Sequence, residues 1–423
     1  MAKGRRRLAL ALLVSAGSAL IGGVSWAAST CSPDGVQASG SIYRICMPDP
    51  ADYNGRVVLW AHGFQDANTP VEIPEDQLQL GDVSLPEVVN SLGYGFATNS
   101  YSKTGLAVRQ GMADLIDLVD IYAQHQGTPE KVYVTGASEG GLISALLVER
   151  YPEIFDGGVA ACGPVGNFRF QIGYLGDARA LFEYFFPGLI PGDPFHPSPE
   201  LADGWTEFYE QNVKPVVFAP ANRHRLDQLV RVAGLPFNQG NYLETVEVSL
   251  RDVLRYAVVN SNDAGATLGG FPFDNTARWY MGSDDDVRLN RRVARASADP
   301  AAVREMQAHY NTTGVLRKPL ITLHTLRDQQ VPYLHEVLYD LKTIKSGAFL
   351  TRHLNIPVDR FEHCNFTAGE AVVAFLLMLA YAGDLTGIDG AGSVLQGKQL
   401  QAFEALARRH GLPYSVAGPL RAR

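Results

Sequence analysis

The sequence predicts an α/β protein: a mostly parallel sheet flanked by helices, with a large, mainly helical cap inserted into it. Three observations carry this reading. Strand-like apolar runs alternate with helix-period stretches as far as residue 161. From 163 to 316 the chain is helical, aromatic and loop-rich, with no strand-like run. The strand pattern then resumes at 319–324. The expected organisation is an export signal over 1–27, a first part of the core over 28–162, an inserted cap over 163–316 and a second part of the core over 317–423.

The export signal rests on Lys3, Arg5, Arg6 and Arg7, which precede an apolar stretch over 8–24, and on Ser25-Trp26-Ala27, which sets small residues for cleavage after Ala27. Gly17, Gly22 and Gly23 break the apolar stretch, which speaks against a membrane anchor. A secreted or periplasmic protein is expected, with the export route left open. Without residues 1–27, 32 basic residues face 44 acidic ones, a net charge of −12. That balance argues against nucleic acid or an anionic membrane as partner.

The elements follow in order. Residues 41–46 alternate as a strand, and 56–60 form a buried strand that runs into Ala61-His62-Gly63-Phe64. After a Pro- and acid-rich loop to Val83, residues 85–92 read as a helix stopped by Gly93. Residues 94–98 are the next strand and 111–126 the next helix. Residues 131–135 form a strand, 142–148 a helix and 155–161 another strand. The cap opens with an aromatic cluster that includes Phe168 and Phe170. Beyond it come a strand at 320–324, a helix at 333–344, a strand at 350–356, a buried helix at 370–381 and a surface helix at 399–409.

The chemistry centres on Gly136-Ala137-Ser138-Glu139-Gly140. In a chain with 42 glycines the pentapeptide alone means little. Its setting, strand before and helix after, is the one in which G-x-S-x-G presents a nucleophilic serine on a tight turn. A serine hydroxyl needs a base, and the base needs an orienting carboxylate. His363, after the last expected strand, is the candidate base. Asp328, after the strand at 320–324, is the candidate acid, although it also fits a turn residue ahead of the next helix. Glu362 and Asp359 are competing carboxylates. The backbone N–H groups of Glu139 and Phe64 are the candidate oxyanion donors. His62 reads as structural. Tyr101, Phe168 and Phe170 are candidate substrate-lining residues.

With these residues in the order Ser138, Asp328, His363, the chain resembles the α/β-hydrolase superfamily over 41–161 and 320–387. It looks most like exported bacterial hydrolases of the esterase and prolyl-oligopeptidase-like groups. Tannases and feruloyl esterases bond a cysteine just before the serine to one just after the histidine. Here Cys364 follows the histidine, but Ala137 precedes the serine. Cys31, Cys46, Cys162 and Cys364 are an even set in an exported chain, so two disulfides are expected among three pairings, with buried free thiols as the alternative. A local Cys31–Cys46 bridge leaves Cys162 to brace Cys364.

The expected function is cleavage of a small-molecule or polymer ester. A peptidase or amidase on the same triad is the alternative, with Asp177 or Glu183 as a candidate amine-binding carboxylate. A diketone C–C hydrolase, an acyltransferase and a non-catalytic binding scaffold complete the range. No cofactor is expected. No metal-ligand motif is present, and Asp284-Asp285-Asp286 reads as a solvated turn. Oligomeric state is not legible.

Overall fold

The computed structural model describes residues 29–384, apart from Asp82, together with Gln401. The expected export signal, and all but Gln401 of the helix expected at 399–409, lie outside the described residues. The order of elements places one large sheet at the centre. Its strands are β1 (Thr30–Cys31), β2 (Gly35–Val36), β3 (Ile42–Met47), β4 (Arg56–Ala61), then β7 (Gly95–Asn99), β8 (Lys131–Ala137), β9 (Gly157–Ala161), β10 (Leu320–Arg327) and β11 (His353–Phe361). A separate short hairpin, β5 (Gln79–Leu80) and β6 (Val83–Ser84), lies in the loop after β4. Across the sheet the order is β1-β3-β7-β4-β8-β9-β10-β11, with β2 also on β3. Pairing is parallel from β7 through β11 and antiparallel at the β1, β2 and β3 edge.

Both faces of this sheet are covered, so its central strands are buried almost throughout. Along β4 the side chains divide with period two. Val57, Leu59 and Ala61 enter one core with Leu115 and Leu118 of α2 (Val108–Gln126) and Leu142 and Leu146 of α3 (Glu139–Arg150). Val58 and Trp60 enter the opposite core with Val88 of α1 (Leu85–Ser91) and a run of the last described helix, Ala368–Ala382. That last helix is apolar all round, with Val372 to Ala380 buried, and it lies against β9 and β10. Thr367 and Glu370 form a capping box at its start, and Gly383 ends it in the left-handed conformation. Asp384 follows and accepts hydrogen bonds from Tyr94 and Tyr133 at 3.0 and 2.8 Å.

Between β9 and β10 the described chain is helical or irregular. Its longer helices, α4 (Phe168–Phe185), α5 (Arg223–Ala233) and α6 (Tyr242–Val259), build their own core from residues such as Phe182, Leu229 and Leu254. Polar ties fasten it to the rest: Tyr174 donates to the Gln329 carbonyl at 2.9 Å, and Lys103 pairs with Asp263 at 2.7 Å. After β10 comes α7 (Leu334–Ser346), and the Ala368–Ala382 helix is α8.

Two disulfides close the four cysteines, Cys31–Cys46 and Cys162–Cys364. Among the described residues no helix is long and apolar enough to cross a membrane. Two expectations need correction. The strand expected at 350–356 begins at His353 and runs to Phe361, which brings His363 two residues past its end. The loop after β4 holds a hairpin too short to leave a periodic signal.

Leu376 on α8 is fully buried. Leu376→Ala is expected to cost about 2–5 kcal/mol, read as a lower urea midpoint at an unchanged slope.

Candidate active site

β8 is central in the sheet and delivers Ser138 to its carboxyl edge, where α3 begins. Ser138 has φ 58° and ψ −119°, a conformation that a residue with a side chain normally avoids. Close packing compels it. A Cβ on Gly140 would come within 2.0 Å of the Ala61 carbonyl, and one on Gly136 within 2.4 Å of the Gly140 carbonyl. The Ser138 N–H donates to the Ala161 carbonyl of β9 at 2.8 Å, which fixes the turn to its neighbour.

His363 lies between Glu362 and Cys364, both at positive φ. The Cys162–Cys364 bridge ties this loop to the end of β9. The Glu362 N–H donates to the Arg327 carbonyl at 3.2 Å. So held, His363 Nε2 lies 2.9 Å from Ser138 Oγ and Nδ1 lies 2.7 Å from Asp328 Oδ2. The structure therefore brings Ser138, His363 and Asp328 into one hydrogen-bonded line. Asp328 fills both roles weighed for it: its other oxygen, Oδ1, accepts from the Gln330 and Val331 N–H groups at 2.9 and 2.8 Å, closing the turn into α7. The competing carboxylates are elsewhere, Glu362 exposed and Asp359 paired with Arg327 at 2.6 Å.

His324 is a residue the sequence reading missed. It is fully buried on β10. Its Nδ1 faces Glu336 Oε1 at 3.0 Å, and its Nε2 faces the Val331 carbonyl at 2.9 Å and Asp328 Oδ2 at 3.3 Å. With acceptors on both nitrogens, the ring must carry both protons. Burial opposes that charge, but hydrogen bonds to Asp328 and Glu336 outweigh it and push the pKa up to about 10. For Asp328, burial works toward the neutral acid. The His363 charge and hydrogen bonds from both histidines prevail and hold it well below the usual carboxylate range. A histidine four residues before the acid was the available signal, since a strand residue and the loop it enters are close in space.

Glu139 heads α3, so its backbone N–H is one of the unpaired donors of a helix start. The loop carrying Phe64 abuts the serine: a Cβ on Gly63 would lie 3.3 Å from both Ser138 Cβ and the Ala137 carbonyl. Gln77, also missed, pins this loop by accepting the Gly63 N–H at 2.6 Å. The Glu139 carboxyl accepts the Ala107 N–H at 2.8 Å and is pushed up to about 8 by burial, against that hydrogen bond. His62 is structural, as expected. It is buried, donates from Nδ1 to the Gly63 carbonyl at 2.7 Å and stacks on Tyr101 at 3.8 Å between ring centres.

Two lining assignments are corrected. Tyr101 is wholly buried, donating to the His62 carbonyl at 2.9 Å, and it does not face the site. Phe170 packs on His335 at 5.1 Å between ring centres. The turn of α4 points Phe168, Ile172 and Leu175 into the cavity at Ser138 and leaves Phe170 aside. Asp177 accepts from Tyr280 at 2.6 Å and pairs with Arg278, while Glu183 pairs with Arg179 at 3.1 Å and caps Gly188 N–H at 2.8 Å. Asp284, Asp285 and Asp286 form a helix-start turn, Asp285 accepting the Arg288 N–H at 2.9 Å. Cys162, His363 and Cys364 converge, but both sulfurs are spent in the disulfide and offer no thiolate to a metal.

Sheet order, the tight turn at Ser138 and the hydrogen-bonded serine, histidine and aspartate are those of an α/β-hydrolase fold. The description of the prolyl oligopeptidase family matches residues 90–174, the span that contains the elbow, and makes this part of the chain prolyl-oligopeptidase-like. No curated protein matches the sequence. Among solved structures, an esterase from Aspergillus oryzae aligns at TM-score 0.43 and 12% identity, covering 77% of this chain and 71% of that one. Candida antarctica lipase A aligns at 0.41 and 15%, covering 81% and 74%. Pyrococcus horikoshii acylaminoacyl peptidase aligns at 0.38 and 9%, covering 79% of this chain, which thus spans only 37% of that longer protein.

The raised pKa of His324 makes a pH prediction. Unfolded, the ring titrates near ~6.5, so stability drawn from its folded charge is complete below that pH and drains away as pH rises toward 10. His324→Gln leaves Glu336 and Asp328 without their cation and is expected to cost about 3–5 kcal/mol at pH 6. The urea midpoint of the variant should change less than that of the wild type between pH 7 and 10.

Proposed function

We propose that this protein is a secreted hydrolase of carboxylic esters, with Ser138 as nucleophile, His363 as general base and Asp328 as the acid that orients it. The observation that carries the reading is the continuous line from Ser138 Oγ through His363 to Asp328, at 2.9 and 2.7 Å. In this reading His363 takes the serine proton as Oγ attacks the ester carbonyl, and Asp328 steadies the imidazolium that results. The N–H groups of Glu139 and Phe64 hold the oxyanion. His363 then passes its proton to the departing alcohol, and water, activated by the same ring, releases the acid. The helical segment at 163–316 acts as a cap over the serine. The two disulfides accord with an oxidising compartment outside the cytoplasm.

A peptidase on the same triad is the second reading, favoured by the family match over 90–174. The ester reading is preferred because Asp177 and Glu183, the acids that were to hold a free amine, are already paired with arginines. The cavity on the cap side is otherwise lined mainly by apolar residues, including Leu142, Ile172 and Phe273.

Purified protein should hydrolyse p-nitrophenyl butyrate in preference to aminoacyl-p-nitroanilides, and activity on the anilides alone would sink the ester reading. Ser138→Ala is expected to abolish labelling by a fluorophosphonate probe and to lower kcat by at least about 10³-fold, with Asp328→Asn losing about 10⁴-fold. Labelling that persists in Ser138→Ala would remove the serine from its assigned role.

A further inference from the structure

Two cavities, not one, meet at Ser138, and they leave it on opposite faces of the sheet. The first, of about 150 Å³, runs between the starts of α2 and α3 and the cap helix α4. The second, of about 390 Å³, runs between the sheet, α1 and α8. Its walls include Val58 and Trp60 of β4, Val88 of α1, Val159 of β9, Leu323 of β10 and Val372 of α8. Ser138 and His363 also line it. The two cavities share Phe64, Ser138, Tyr256 and Gln330. Phe64 and Tyr256 stand edge to face at the junction, 5.5 Å between ring centres.

This cavity is a partly open cleft, not a sealed void in the packed layer. It exceeds by far the space that one water needs.

An ester has this shape. Its two arms leave a single reacting carbon in divergent directions. Building on the esterase reading, we propose that the substrate is an ester with an apolar group on both arms. One arm lies under the cap. The other lies in the cavity between the sheet, α1 and α8. Each methylene buried in such a cavity raises kcat/KM about four-fold until the cavity is full.

The test measures kcat/KM along two series, p-nitrophenyl esters from acetate to decanoate and alkyl butyrates from methyl to octyl. The wild type should gain at least about ten-fold along both series. Val88→Phe and Val372→Phe, which fill the cavity from opposite walls, should each remove that gain in one and the same series. Acetate hydrolysis and fluorophosphonate labelling should stay within about two-fold of wild type. Leu175→Phe, in the cap-side cavity, should flatten the other series. Val88→Leu is the milder filling should either phenylalanine variant fail to fold. Unchanged length dependence in both series, with acetate hydrolysis intact, would overturn the proposal. Acetate hydrolysis that survives Ser138→Ala would instead count against the triad, a separate result from the length profiles.

Discussion

Ser138 has a backbone conformation that its own side chain disfavours, and the centre of the molecule is arranged to hold it there. β8 must end at the sheet edge while α3 begins at once, so the turn has no residues to spare. Gly136 and Gly140 allow β4, β8 and α3 to touch backbone to backbone. The Ala161 carbonyl holds the Ser138 N–H from the other side. A turn made this tight leaves the hydroxyl standing clear of the sheet, within reach of a histidine from a distant loop.

The acid that faces this histidine lies in a buried set of charges. Asp328 and Glu336 are both buried carboxylates, and His324 between them supplies the positive charge that makes their burial tolerable. Without it, Asp328 would drift toward the neutral acid, in which form it would orient His363 far less firmly. Because Asp328 also closes the turn into α7, its side chain is fixed from three directions: by two backbone N–H groups, by His363 and by His324. The precision of the site comes from this over-determination, while the chemistry needs only one of those contacts.

What the sequence disclosed follows from which signals are local. Apolar runs alternating with helical patterns announced the sheet, because central strands buried on both faces leave continuous apolar runs. Ser138, Asp328 and His363 were legible because each follows a strand, and parallel strands put their carboxyl ends along one edge. The disulfide pairing followed from elimination once the local bridge was assumed. Tyr101 and Phe170 were misjudged because facing a cavity depends on rotation about an element, and an aromatic cluster does not reveal that rotation. Gln77 and Glu336 were invisible for another reason. Each acts across a long loop or a separate helix, on a partner that no spacing rule connects to it.

The Cys162–Cys364 bridge joins residues 202 positions apart, and the whole helical segment over 163–316 lies between them. Covalently, that segment is a bight in a closed ring, and the bridge that closes the ring adjoins His363. A protease that nicks an exposed loop of that segment therefore yields two pieces that stay attached to one another, with Ser138 on one and His363 on the other. The segment is a tethered excursion, and a cut there parts the chain without parting Ser138 from His363.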